Sequence, residues 1–388
     1  MSDPIRIRMY QAGFGDCFLL HLPTSARTKT MLVDCGSLGG GQPTFKRVVE
    51  RLLKDVDNHI DVIVATHRHR DHVGGFDHDG WKNVTATEVW LPWTERPDDP
   101  IALRIRSAQE NLARSLRDAL PTNADPGLRF LAENALTNEK ARDRLLQLGA
   151  GPPSKLRWIA CEAPGLNSFD SPALPGIEVY VLGPLRDEKT FTDMEPPKEQ
   201  NFARQARIAA GGAGATQAGV GAFPSQWCVP TGALSDEEIN LVRLATPDAQ
   251  FELLALNDHL INSTSIMLVL RVGETHLLLP GDAQWSTWKA ALADPARREL
   301  LTKTTFYKVG HHGSENATPV EFPTDVLKGR TDVVSMASWV KRANWARIPE
   351  PHLVDSLKKV GHFADHKTKP LTAEFAVDPD EFYIEVTL

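Results

Sequence analysis

Ala65-Thr66-His67-Arg68-His69-Arg70-Asp71-His72-Val73-Gly74-Gly75 places three imidazoles and a carboxylate within six residues. Just ahead of it, Ile60-Asp61-Val62-Ile63-Val64 is short, apolar and β-branched, which predicts a buried strand. Behind it, Gly74-Gly75 lets the backbone turn tightly. The polar cluster therefore sits on a loop at the carboxyl end of a strand. From there His67 and His69 can reach one metal ion, and Asp71 and His72 a second beside it. Imidazole and carboxylate donors without thiolate suit zinc, with manganese or iron as alternatives. The plain alternative is a polar loop rich in histidine by chance. With 13 His in 388 residues, three within six argue against it.

Working outward, residues 5–10 alternate apolar and polar, as in a strand with one wet face. Gln11-Ala12-Gly13-Phe14-Gly15-Asp16 is a glycine turn, residues 17–22 a returning strand, and residues 29–36 a third strand that ends at Asp34 before Gly36. Residues 45–53 have helical spacing and lead into the strand before the histidine loop. A strand–helix–strand unit predicts layers of sheet and helix, an α/β (α+β) protein rather than an all-β one. Residues 87–93 read as the next strand. Far downstream, Asn257-Asp258-His259-Leu260-Ile261-Asn262-Ser263-Thr264-Ser265 is a polar turn feeding a strand, Arg271-Val272-Gly273 a hairpin, and His276-Leu277-Leu278-Leu279-Pro280-Gly281-Asp282-Ala283 the partner strand. Phe306-Tyr307-Lys308-Val309-Gly310-His311-His312-Gly313-Ser314 is a strand running into a second histidine turn. Further strands are expected at residues 332–337 and 381–387, and a helix from Pro351.

These motifs together resemble the metallo-β-lactamase-fold hydrolases. His67-x-His69-x-Asp71-His72 followed by Gly-Gly is similar to the family signature. Asp34, Asp282 and the His311-His312 turn fall in the family's order. The turn ending in Gly15-Asp16-Cys17, Asn262-x-x-Ser265 and Lys308-Val309-Gly310-His311-His312-Gly313-Ser314 resemble the branch that includes the metallohydrolase domain of the bacterial DNA-uptake channel protein. The resemblance implies an αββα sandwich with a partly helical insertion and a site for two divalent metal ions, zinc first. It implies His67, His69, Asp71, His72 and His311 as ligands and Asp282 as the carboxylate shared by both ions. Asp34 would brace the metal loop, Asp71 would help orient water and ligands, and His312 would face the substrate as proton donor or phosphate contact, with Lys308 the weaker candidate. The opposite assignment of His311 and His312 is open. Many relatives carry a histidine near Ile261-Asn262; here Asn262 stands there, and His259 is the candidate to complete the first metal's shell.

The implied activity is metal-dependent hydrolysis, first as a phosphodiesterase or nuclease using a metal-bridging hydroxide on DNA or RNA, a defence effector being one setting for it. A small phosphodiester, ester or lactone is the second substrate class, and a metal-poor, non-catalytic binding domain the third reading. The resemblance covers residues 5–93 and 250–388. The organisation expected is a first half-domain over 1–94, an insertion over 95–250, and a second half-domain over 251–388. Within the insertion, residues 177–184 read as a core strand, 101–120 and 132–148 as helices, and 209–223 as a Gly/Ala-rich loop or lid. Arg104, Arg106, Arg114 and Arg117 on the first of these helices could line a groove for a phosphate backbone, or form a solvated face. The insertion is also the candidate surface for a protein partner.

Composition sets outer limits. Hydrophobic residues at 41% and charged residues at 24% are ordinary for a globular protein. A net charge of −7 excludes a global basic field for nucleic acid. No run approaches the ~20 apolar residues of a membrane span. The first residues lack a signal-peptide core. The four cysteines, Cys17, Cys35, Cys161 and Cys228, are widely spaced, which fits reduced thiols and a cytoplasmic setting.

Overall fold

The computed structural model describes residues 3–39, 43–120, 132–136, 138–151, 155–162, 164–187, 196–202, 256–314, 316, 318–338, 348–366 and 374–388. The Gly/Ala-rich stretch 209–223, Cys228, and parts of the expected 132–148 helix and of the insertion lie outside these residues. Two sheets are present. The first holds β1 (Arg6–Tyr10), β2 (Phe18–Leu22), β3 (Lys29–Val33), β4 (His59–Val64), β5 (Thr85–Pro92), β6 (Lys155–Ile159), β14 (Phe375–Val377) and β15 (Tyr383–Thr387), in the order β14-β15-β1-β2-β3-β4-β5-β6. The second holds β7 (Asn167–Asp170), β8 (Glu178–Gly183), β9 (Met267–Val272), β10 (Thr275–Leu279), β11 (Phe306–Lys308), β12 (Val333–Ala337) and β13 (Gly361–Asp365), in the order β13-β12-β11-β10-β9-β8-β7.

Strand periodicity explains how the sheets stack. Successive side chains point to opposite faces. On β2, Phe18, Leu20 and Leu22 enter the core between the sheets, where they meet Leu268 and Leu270 of β9 and Leu277 and Leu279 of β10. Leu19 points the other way, toward Val48, Val49 and Leu52 of helix α1 (Phe45–Asp55). On β10, Leu278 likewise turns outward, to Trp288 of α5 (Trp285–Ala293), Leu301 of α6 (Pro295–Thr302) and Leu353 and Leu357 of α7 (Pro351–Val360). A sheet that is apolar on both faces needs a cover on both. The result is the four-layer α/β sandwich expected, with helix, sheet, sheet and helix in turn.

The strands β3, β4 and β5 run parallel, as do β10, β11, β12 and β13. Their carboxyl ends gather at one edge, where open α/β sheets place ligands. Four strands were missed in sequence, and they are the edges of the two sheets: β13 and β14, which follow α7, and β6 and β7, which lie inside the 95–250 stretch. The last two are short and half exposed, and Asn167-Ser168-Phe169-Asp170 has almost no apolar signal. The rest of that stretch as described includes α3 (Pro100–Ala119) and α4 (Glu139–Ala150), whose Leu145 and Leu148 pack beneath the first sheet. Among the described residues, no helix is long and apolar enough to cross a membrane.

Candidate metal centre

The histidine loop leaves β4, runs into the short helix α2 (Arg70–Val73) and is stitched down by its neighbours. The amide of Asp16 donates to the Asp71 carbonyl at 2.8 Å, and that of Cys35 to the His72 carbonyl at 2.7 Å. Gly36 is required at this crossing: a Cβ there would lie 2.2 Å from the Asp71 carbonyl carbon. From the other side, Arg68 reaches Gln109 at 2.8 Å and Glu110 at 3.1 Å on α3. Asn134 Oδ1 accepts from the Asp71 amide at 3.3 Å, and Asn138 donates to the Arg68 carbonyl. The helical insertion therefore grips the loop directly.

Asp34, after β3, accepts from the Thr66 amide at 2.7 Å and the Thr66 hydroxyl at 2.8 Å, and faces His72 Nδ1 at 2.8 Å. Its φ of 58° is in the left-handed region, as are those of His311 (43°) and His312 (53°). Strain of this kind collects at functional sites. His72 Nε2 then lies 3.1 Å from Asp282 Oδ2, at the end of β10. His67 Nε2 and His69 Nδ1 face each other at 3.0 Å, while His67 Nδ1 is 3.2 Å from the Ser265 hydroxyl. That hydroxyl also accepts the Asp282 amide at 3.1 Å.

The two histidines after β11 diverge. His312 is buried, with Nε2 3.2 Å from Asp71 Oδ2 and Nδ1 3.0 Å from the Ser338 carbonyl. His311, with its side chain 20% exposed, holds Asp282 Oδ1 through its backbone amide at 3.0 Å; its Nε2 is 4.0 Å from that carboxylate. So the ring of His312 lies with Asp71 and His72, while that of His311 stands farther out beside Asp282. His259 turns to Gln284, 3.3 Å from its Nδ1. Lys308 is wholly buried and ion-paired with Asp16, so it faces the protein interior rather than a substrate.

Among the described residues, three sets of ligand atoms lie within 4.8 Å of one another: those of His67, His72 and Asp282; of Asp71, His72 and His312; and of Asp16, Asp34 and His72. The first two suit a cation. The buried Asp71 Oδ1 has no hydrogen-bond partner among the described residues. Burial pushes His67 well below the usual imidazole range and His69 down to about 3, so both are neutral, as metal ligands must be. Burial opposes the charged form of His72, yet the Asp282, Asp71 and Asp34 carboxylates outweigh it and raise that imidazole well above its usual value. Burial likewise resists ionisation of Asp282, but His72 and His311 hold it well below the usual carboxylate range. A cation in place of the His72 proton answers the same charge.

Sequence reasoning passed over Asp16 and Asp258. Asp16 is wholly buried, paired with Lys308 and Ser338, and 3.6 Å from His312 Nδ1. The signal was an acid at the end of the glycine turn, with Cys17 between it and the largely apolar β2. Asp258 Oδ1 lies 3.4 Å from His69 Nε2. Burial, with Asp71 and Asp282 nearby, pushes its carboxyl up to about 8, a repulsion that bound cations would offset. On α3, Arg106 is buried on the Thr94 and Arg96 carbonyls, while Arg114 and Arg117 stand half exposed and pair with Glu139 and Asp118, as on a solvated face.

Residues 10–148 match the family model for the metallo-beta-lactamase superfamily. No curated protein matches the chain. Among solved structures it is similar to a mutant of the CmlA beta-hydroxylase, with 11% identity and a TM-score of 0.37 over 100% of this chain and 54% of the other; the chain thus spans about half of that protein's length. The matched residues hold Asp34 and the loop on which the site is built, and over that stretch the chain is similar to the metallo-beta-lactamase superfamily.

Proposed function

We propose that the chain is a metal-dependent hydrolase, with phosphodiesters as its first substrate class. The observation that carries this reading is the buried set of imidazole nitrogens and carboxylate oxygens at the sheet edge. In this reading His67, His69 and Asp282 hold one divalent ion, and Asp71, His72 and His312 a second that shares Asp282. Ions bound there would supply an activated water and neutralise charge on the attacked phosphoryl or carbonyl group. Asp34 keeps His72 Nε2 turned to the site, and Ser338 does the same for His312. His311, partly exposed at the mouth, is left to contact the substrate or pass a proton to the leaving oxygen.

The motif resemblance favours DNA or RNA. A small phosphodiester or ester is favoured by a separate observation: three of the α3 arginines, Arg106, Arg114 and Arg117, bond to protein carbonyls and carboxylates, and the net charge is −7. Cleavage of plasmid DNA and of bis-p-nitrophenyl phosphate by the metal-loaded protein separates the two, with Asp282→Ala as control. Cleavage of either, lost in the variant, supports the hydrolase. Cleavage of the dye ester alone selects the small substrate. No cleavage of either, with metal bound, counts against catalysis.

A further inference from the structure

Each histidine of the site has one nitrogen turned to the centre and one turned to a protein group behind it. For His72 that group is Asp34, for His312 the Ser338 carbonyl, and for His67 the Ser265 hydroxyl. His69 presents Nδ1 to His67 Nε2; its buried Nε2 has no hydrogen-bond partner among the described residues and stands 3.4 Å from Asp258 Oδ1. Residues 256–262 are helical, so positions 258 and 262 share one face. Asn262 is wholly buried, and its Nδ2 donates to Asp258 Oδ2 at 3.1 Å.

We infer that Asp258 is the positioning residue for His69, and that Asn262 serves the centre by holding Asp258 rather than by binding metal. A carboxylate at Nε2 keeps the ring proton there and leaves the Nδ1 lone pair for the ion shared with His67. The direction of the ring separates this from direct ligation: Asp258 stands on the far side of His69 from His67. The chain thus answers the absence of a histidine at position 262 by fixing a ligand it already has. The inference rests on the metal-site reading above.

The test uses the full chain loaded with cobalt(II). Affinity is measured by competition with a chelator, and the exchangeable imidazole N–H of His69 is followed by paramagnetic proton NMR. Asp258→Ala is expected to weaken cobalt binding about 10- to 100-fold and to lose the His69 N–H signal to solvent exchange. Asp258→Asn can still accept from Nε2–H and should keep the signal and most of the affinity. Asn262→Ala should fall between them. Thermal melts without metal check that each variant folds. Wild-type affinity and signal in Asp258→Ala would overturn the inference. So would an Asp258→Asn protein that folds and yet loses a ligand by its visible absorption, since that would make Asp258 a direct ligand. Wild-type protein that takes up no cobalt would instead sink the metal-site reading, and this inference with it.

Discussion

Buried at the centre of the site, His72 presents Nδ1 to Asp34 and Nε2 to Asp282. Its raised pKa leaves the metal-free ring protonated at pH 7, and a ligand nitrogen must give that proton up. Metal binding near neutral pH should therefore release protons, and affinity should rise with pH until the pH passes the raised pKa. Titrations in buffers of different ionisation enthalpy would measure the release; none at pH 7 would contradict the charge assignment. The geometry also separates His311 from His312. His312→Ala should remove about one ion per chain, whereas His311→Ala should keep both ions and lose turnover, as read by metal analysis beside cleavage rate. Loss of metal from His311→Ala alone would restore the assignment expected from sequence. At this scale the sequence was most informative where ligand types cluster within a few residues. It was silent on Asp258, because a carboxylate becomes significant there only when a helical turn and a distant loop meet.

Among the elements, the contact between the insertion and the histidine loop has the clearest consequence. Arg68, between two candidate ligands, bonds to Gln109 and Glu110 of α3 and is mostly buried. Arg68→Ala should cost about 1.5–3 kcal/mol, since charge-assisted hydrogen bonds are lost from a buried place, and should also weaken metal binding. Melting curves with and without metal would show both effects; unchanged values would reduce α3 to a neighbour of the site. The α3 helix itself was legible from its spacing, and Asp99 caps it through the Ile101 and Ala102 amides. Its purpose was not legible. Arginines at 104, 106, 114 and 117 look like a basic face in sequence, and only their partners reveal that at least three are engaged within the protein. The strands β6, β7, β13 and β14 were missed because edge strands need little apolar surface, so alternation fades.

For the whole molecule, the strand–helix–strand unit around residues 29–64 predicted layers of sheet and helix, and in the structure each sheet is covered by the other sheet on one face and by helices on the other. Acid stability follows from the same architecture. Asp61 on β4, with its side chain 1% exposed, binds Arg27 and Lys29 and accepts the Thr30 amide, tying β4 to β3. Burial resists its ionisation, but Thr30, Lys29 and Arg27 outweigh this and lower its pKa. A depressed carboxylate contributes stability above its unfolded pKa of about 3.9 and loses it as pH falls through the folded value. Asp61→Asn should therefore destabilise at pH 7 by about 1.5–3 kcal/mol and differ less from wild type as the pH drops below about 3. Denaturant melts at the two pH values would reveal it; an equal gap at both would contradict the linkage.

The most direct test of the account is the metal content of the full chain after saturation with zinc and removal of the free ion. It predicts about two ions per chain in wild type, and loss of both affinity and stoichiometry in Asp282→Ala, whose carboxylate serves both sites. Fewer than one ion per chain in folded wild-type protein would contradict it, and would make the buried histidine cluster a structural feature rather than a metal centre.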